Sequence, residues 1–128
     1  MTYAFSPPRP SSLVSPNILI EVARCWRAAL TRGESVQPCL YRILNPHHAQ
    51  ILAPVLDSLL RFYERALGHA LTVGTAPLLT QDEAQLLAIM DGSLESRTSI
   101  SCSNDAASGL DRAVKSARIM MRLAAADR

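Results

Sequence analysis

Residues 46–67, PHHAQILAPVLDSLLRFYERAL, carry the clearest periodic pattern in this chain of 128 residues. Apolar side chains recur there every three or four positions, which is the spacing of one face of an α-helix. The members of this face are Ile51, Leu52, Val55, Leu56, Leu59, Phe62, Tyr63 and Ala66. Pro54 falls on the opposite, polar side, so the pattern predicts one helix over residues 46–67 with a kink at Pro54.

Helical periodicity also precedes this stretch. Ser15 offers a side-chain oxygen as a cap, and Pro16 suits the first helical position because its missing N–H is not needed there. Gly33 can adopt the left-handed conformation that commonly ends a helix, so a helix is predicted from Pro16 to the residues just before Gly33. A shorter apolar set, from Cys39 to Leu44, predicts one or two turns of connecting helix.

Two more helices are predicted in the second half of the chain. Thr80 and Glu83 have the spacing of a capping box, which opens a helix that ends at Gly92. Residues 93–103 are rich in Ser and Thr without a helical period and predict an exposed loop. Asn104 is the predicted cap of the final helix.

The predicted fold class is therefore all-α. We expect a compact bundle of four to five amphipathic helices, with residues 15–128 as a single helical domain. Residues 1–14 are rich in Pro and Ser and predict a flexible tail. The composition agrees, because hydrophobic residues make up 48% of the chain and aromatic residues only 5%, so aliphatic side chains must fill the core.

The net charge and the cysteine pattern restrict the partners and the cellular compartment that we expect for the protein. The net charge is only +2, which by itself argues for no nucleic-acid partner. Twelve of the thirteen basic residues are Arg, a bias that we interpret as the codon usage of a GC-rich genome. Cys25, Cys39 and Cys102 lack the spacing of a zinc or redox pair and are expected to be reduced thiols. No signal peptide or membrane span is recognisable, so we expect a cytoplasmic protein without membrane contact.

No residue pattern predicts catalysis, a metal site or a bound cofactor, and we therefore expect a protein that is not an enzyme. Neighbouring residues of a helix point about 100° apart, so His47 and His48 cannot share one ion there. We interpret His48 as packed against the apolar stripe and His47 as facing solvent. A thiolate at Cys39 near this pair, or a helix-lined ligand pocket with His48, Tyr41 or Tyr63, is a weaker alternative.

The final helix carries the features that suggest binding. Its inner stripe is predicted to contain Ala106, Leu110, Ala113, Val114, Ala117 and Met121. Ile119 and Leu123 project from another side, so this helix is either central in the bundle or half of an interface. Its basic residues, which could contact an anion or an acidic partner, are Arg112, Lys115, Arg118 and Arg122.

These observations predict a non-enzymatic helical module of a bacterial cytoplasm, used for protein interaction or regulation. Its partner would be another protein or a second copy in a homodimer. The alternative is a DNA-binding transcriptional regulator that uses the basic final helix.

Overall fold

The computed structural model describes residues 16–126, apart from the side chains of Arg97, Ala125 and Ala126. This part of the chain forms a compact all-α bundle and contains no β-strand, which confirms the predicted fold class. The helices are α1 (Pro16–Thr31), α2 (Val36–Leu44), α3 (Ala53–Leu67), α4 (Gln81–Asp91), the single turn α5 (Ser96–Ser99) and α6 (Asn104–Ala126). The predicted tail of residues 1–14 and the predicted cap Ser15 lie outside the described residues.

The helices bury their apolar faces in one shared core. The most extensive contacts are those of α3 with α6 and of α1 with α2, while α4 contacts both α1 and α6. The largest fully buried apolar side chains are Trp26, Leu40, Leu44, Leu52, Leu56, Leu59, Leu60, Tyr63, Leu86, Ile89 and Leu110. Packing of these faces stabilises helices that would be too short to persist alone in water.

The prediction of one kinked helix over residues 46–67 is wrong in its first part. The chain instead passes through two 3₁₀ turns, Asn45–His47 and Gln50–Leu52, before α3 begins. Between the turns, His48 adopts the left-handed conformation with a φ of 56°. Pro54 lies in the first turn of α3, where its missing N–H has no helical acceptor to lose. This proline therefore starts the helix instead of bending it.

The break changes which side chains are buried. His48 is exposed, so the prediction that it packs against the apolar stripe is wrong. Ile51, a predicted member of the same stripe, is 52% exposed. Leu52 and Leu56 are buried as predicted. The turns before α3 do not continue its helical phase, so side chains that a continuous helix would point inward lie outside.

Residues 93–103 are more ordered than the predicted exposed loop. They include α5, whose Ser96 is buried and donates a hydrogen bond to Asp111 of α6 at 3.2 Å. The side-chain oxygen of Ser103, not that of Asn104, caps α6 by accepting a hydrogen bond at 3.1 Å from the backbone N–H three residues later. The cap and the packing of α5 together fix the start of α6.

Cys25 and Cys39 form a disulfide that joins α1 to α2. Their Cα atoms are 6.3 Å apart, which lies within the usual disulfide range. The prediction that all three cysteines are reduced thiols is therefore wrong for this pair, while Cys102 is free and partly buried. The pairing arises because α2 folds back along α1, a contact that cysteine spacing alone does not reveal.

A buried carboxylate connects α4 to α1 and to the loop that precedes α4. Glu83 is 0% exposed and accepts hydrogen bonds from Arg24 Nε at 2.7 Å and Arg24 Nη2 at 3.0 Å. It also accepts from the backbone N–H groups of Thr80 at 3.0 Å and Gly74 at 3.3 Å. The Thr80 hydroxyl accepts in turn from the Glu83 N–H at 3.1 Å, which confirms the predicted capping box. One side chain thus fixes the positions of three segments.

Replacing Glu83 with glutamine should lower the free energy of unfolding at pH 7 by about 2–3 kcal/mol, because Arg24 loses its charged partner at a buried site. Hydrogen bonds from Arg24 lower the pKa of the Glu83 carboxyl in the folded protein. The stabilisation is therefore complete above the pKa of an unfolded glutamate, about 4.3, and disappears as the pH falls through the lower folded value. Urea unfolding between neutral and strongly acidic pH should show the two stability curves converging in acid.

The matched control is Glu34→Gln. Glu34 pairs with Arg32 at 2.9 Å on the surface, where the two side chains are 58% and 56% exposed. Its replacement should leave stability at pH 7 nearly unchanged, since solvent screens such pairs. Parallel pH curves for the wild type and Glu83→Gln would contradict the proposed role of the Glu83 charge.

Candidate functional site

The outer face of α6 exposes apolar side chains that the bundle does not use. Ile119 is 54% exposed and Leu123 is 53% exposed. The inner stripe of the same helix, which includes Leu110, Val114, Ala117 and Met121, is buried. The helix is therefore apolar on two sides and not central, because only the inner side is covered.

Arg118 faces the core side and has a structural role. Its Nε donates to the Met90 carbonyl at 3.1 Å, and its Nη2 donates to the Ile89 carbonyl. Both carbonyls belong to the last turn of α4, where acceptors lack the regular hydrogen bond from a residue four positions later, and the Ile89 carbonyl also accepts from the Gly92 N–H at 3.2 Å. Arg118 thus ties α6 to the end of α4 and is less available to an external anion than the sequence suggests.

The other three predicted cations point outward. Lys115 is paired with Asp111 one turn earlier, at 3.1 Å between Nζ and Oδ2. Arg112 and Arg122 are exposed, and neither forms an ion pair or a hydrogen bond with any residue that the structure describes. These two guanidinium groups are the cations of this face that a partner could bind without breaking an internal contact.

An open groove runs between α3 and α6 next to these residues. Its sides include Val55, Ser58 and Phe62 from α3 and Gly109, Arg112 and Ser116 from α6. Its volume of about 730 Å³ is enough for several side chains of a partner. Arg112 and Ser116 also lie on the helical stripe that continues to Ile119 and Leu123, so the groove and the exposed stripe form one surface.

A glycine sets the distance between the two helices that form the groove. A Cβ atom at position 109 would lie 2.8 Å from two ring carbons of Phe62, closer than real side chains approach. Phe62 of α3 lies against Gly109 of α6, and Val55 lines the same groove as Ser116. The second 3₁₀ turn, Gln50–Leu52, also contacts α6. An isolated glycine inside a helical pattern is the one sequence signal of the contact between Phe62 and Gly109.

The structure does not assemble the predicted alternative ligand pocket. His48 and Tyr41 are exposed, whereas Tyr63 is buried. The Tyr63 hydroxyl lies 2.8 Å from the Asp82 carbonyl and 2.7 Å from Gln85 Oε1. Burial raises the pKa of Tyr63 far above its usual value. This tyrosine therefore joins α3 to α4 as a neutral hydrogen-bonding group.

The weaker hypothesis of a nucleophilic Cys39 also finds no support in the geometry. The Cys39 sulfur is bonded to Cys25, and the two sulfurs lie 3.8 and 3.6 Å from Arg42 Nη2. Among residues 16–126, no group of three or more His, Cys, Asp or Glu side chains is arranged to hold a metal ion.

No protein-family model, curated protein or solved structure matches this chain. Within residues 16–126, no helix combines the length and the apolar character needed to cross a membrane. The surface formed by the α3–α6 groove and the outer stripe of α6 is therefore the strongest basis for a functional hypothesis.

Replacing Gly109 with leucine should destabilise the bundle by about 1–3 kcal/mol, because the new side chain enters the space of the Phe62 ring and forces α3 and α6 apart. Urea unfolding measures this change in the free energy of unfolding. The loss of free energy of unfolding caused by Gly109→Leu should be smaller in a Phe62→Ala background, since the clashing ring is then absent.

Ser116→Leu is the control, because it adds the same side chain to an exposed position of α6. It should change stability by less than about 0.5 kcal/mol. Equal stabilities of Gly109→Leu and the wild type would show that the two helices do not touch at this point.

Proposed function

We propose that this protein is a helical interaction module that binds another protein through the outer face of α6. The observation that carries the proposal is the exposure of Ile119 and Leu123 by more than half, on a helix whose inner stripe is already buried. Single exposed apolar residues are common on protein surfaces. Here the α3–α6 groove, which Arg112 and Ser116 of the same helical stripe line, extends them into one surface, which is the form expected of a binding site.

The energetics of such a contact are favourable. Full burial of an aliphatic side chain contributes about 1.5–3 kcal/mol. A few apolar anchors surrounded by polar groups usually supply most of the affinity of an interface. Ile119 and Leu123 can act as these anchors, and Arg112 and Arg122 form part of the polar surround.

The proposed module is not an enzyme, and it would act by holding or regulating its partner. A bacterial cytoplasm remains the proposed location, and the Cys25–Cys39 disulfide is the observation that weighs against it, because disulfides persist mainly in oxidising compartments. Counting free thiols in acid-quenched cells tests the location. Three per chain support the cytoplasm, whereas a single one contradicts it.

The double variant Ile119→Glu, Leu123→Glu should fold like the wild type and lose its partner. Both positions are exposed, so the free energy of unfolding should change by less than about 0.5 kcal/mol. Immobilised wild type and double variant are incubated with the same cell lysate, and light scattering at several concentrations follows self-association. We expect a protein that is retained by the wild type and absent from the double variant.

Leu78→Glu is the matched control. Leu78 is 76% exposed, and it lies in the loop before α4, on a different part of the surface. This variant should retain the same protein as the wild type. A strictly monomeric wild type that captures nothing beyond what the double variant captures would contradict the proposal.

Binding to DNA is the second candidate, and it is favoured by the exposed cations Arg112, Lys115 and Arg122 on one face of α6. Contacts to phosphate would make the affinity fall steeply with salt. A mobility-shift series at rising salt separates the two candidates. Absence of a shift at low salt excludes the second one.

A further inference from the structure

We infer that the partner is an amphipathic helix with an acidic rim, which lies along the α3–α6 groove and covers Ile119 and Leu123. This inference rests on the proposed function and adds the chemical class of the partner. Two observations carry it: the charge of the surface, which also disfavours self-association, and the spacing of the exposed residues.

The surface is positive along most of its length. Arg112 and Arg122 form no ion pair with a described residue, and Lys115 beside them is exposed and paired with Asp111. Among the described residues that line the groove, Asp105 carries the only negative charge, and it lies at the end far from Ile119. Carboxylates on a docked partner would meet these guanidinium groups, whereas lysines would be repelled.

The same charges disfavour a second copy of this chain as the occupant. If α6 packed against α6 of another copy, both helices would bring Arg112, Lys115 and Arg122 to the same seam. Asp111 pairs with Lys115, whereas Arg112 and Arg122 have no described carboxylate partner. Like charges that face each other across an interface lower the affinity, so a partner of opposite charge fits this surface better.

The spacing of the stripe fits a helix as the docking element. Arg112, Ser116, Ile119 and Leu123 follow each other at intervals of four, three and four residues, as in the seam of two packed helices. Arg112 and Arg122 are about 15 Å apart along α6, given the helical rise of about 1.5 Å per residue. A partner helix would present apolar residues at helical spacing, with carboxylates separated by about three turns on its rim.

The test uses the full chain and two synthetic amphipathic helical peptides with identical apolar faces. One carries Glu at its rim positions and the other carries Lys. Fluorescence anisotropy should show that the acidic peptide binds at least about tenfold more tightly at low ionic strength. The difference should decrease as salt is added, because exposed charges are screened.

Substitutions on this surface test whether its charges cause the preference for the acidic peptide. Arg112→Glu with Arg122→Glu should reverse the order of the two peptides, and Ile119→Glu should weaken both. Arg32→Glu is the control, since Arg32 is an exposed cation after the end of α1, and it should preserve the preference for the acidic peptide.

The outcomes separate this inference from the proposed function. Equal binding of both peptides, with both weakened by Ile119→Glu, would overturn the acidic partner and leave the interaction surface intact. Failure of both peptides to bind would overturn the inference, while the lysate experiment decides the proposed function independently. A wild-type dimer that dissociates in Ile119→Glu would identify a second copy as the occupant and also overturn it.

Discussion

The buried carboxylate of Glu83 is the constraint on which the arrangement of the bundle depends. A buried charge is tolerated only when it is paired and hydrogen-bonded, and Arg24 and two backbone N–H groups meet this requirement together. Arg118 acts in a similar way at the other end of α4 by binding its last carbonyls. The helix α4 is therefore held between α1 and α6 by directional polar contacts as well as by apolar packing.

This arrangement commits only one side of α6 to the fold. The inner stripe packs in the core, Arg118 binds α4, and Gly109 allows the close approach of α3. Ile119, Leu123, Arg112 and Arg122 are left on a helix whose position is already fixed. A surface held in place before binding loses little conformational entropy when a partner docks, which favours recognition by a rigid helix face.

Pattern reasoning succeeded where local signals and packing agree. The helices α1, α4 and α6 follow their apolar periods, and the capping box of Thr80 and Glu83 forms as its spacing predicts. It failed between residues 46 and 52, where two 3₁₀ turns replace a helix and expose His48 and Ile51. Periodicity identifies an apolar face but cannot show that the helical phase is interrupted. Leu52 would be buried in a continuous helix, and it is also buried where two 3₁₀ turns precede α3.

The sequence by itself determined the all-α class, most helix positions and the two-sided character of α6, because these depend on side-chain spacing within one segment. Only the tertiary structure decided which cations of α6 are available, which cysteines pair, and where the groove lies. Each of these depends on a contact between segments far apart in the chain. Arg118 donates to a carbonyl at the end of α4, Cys25 bonds to Cys39 of α2, and Phe62 lies against Gly109. A local sequence pattern does not specify the distance between such segments, because that distance is set by the packing of the helices.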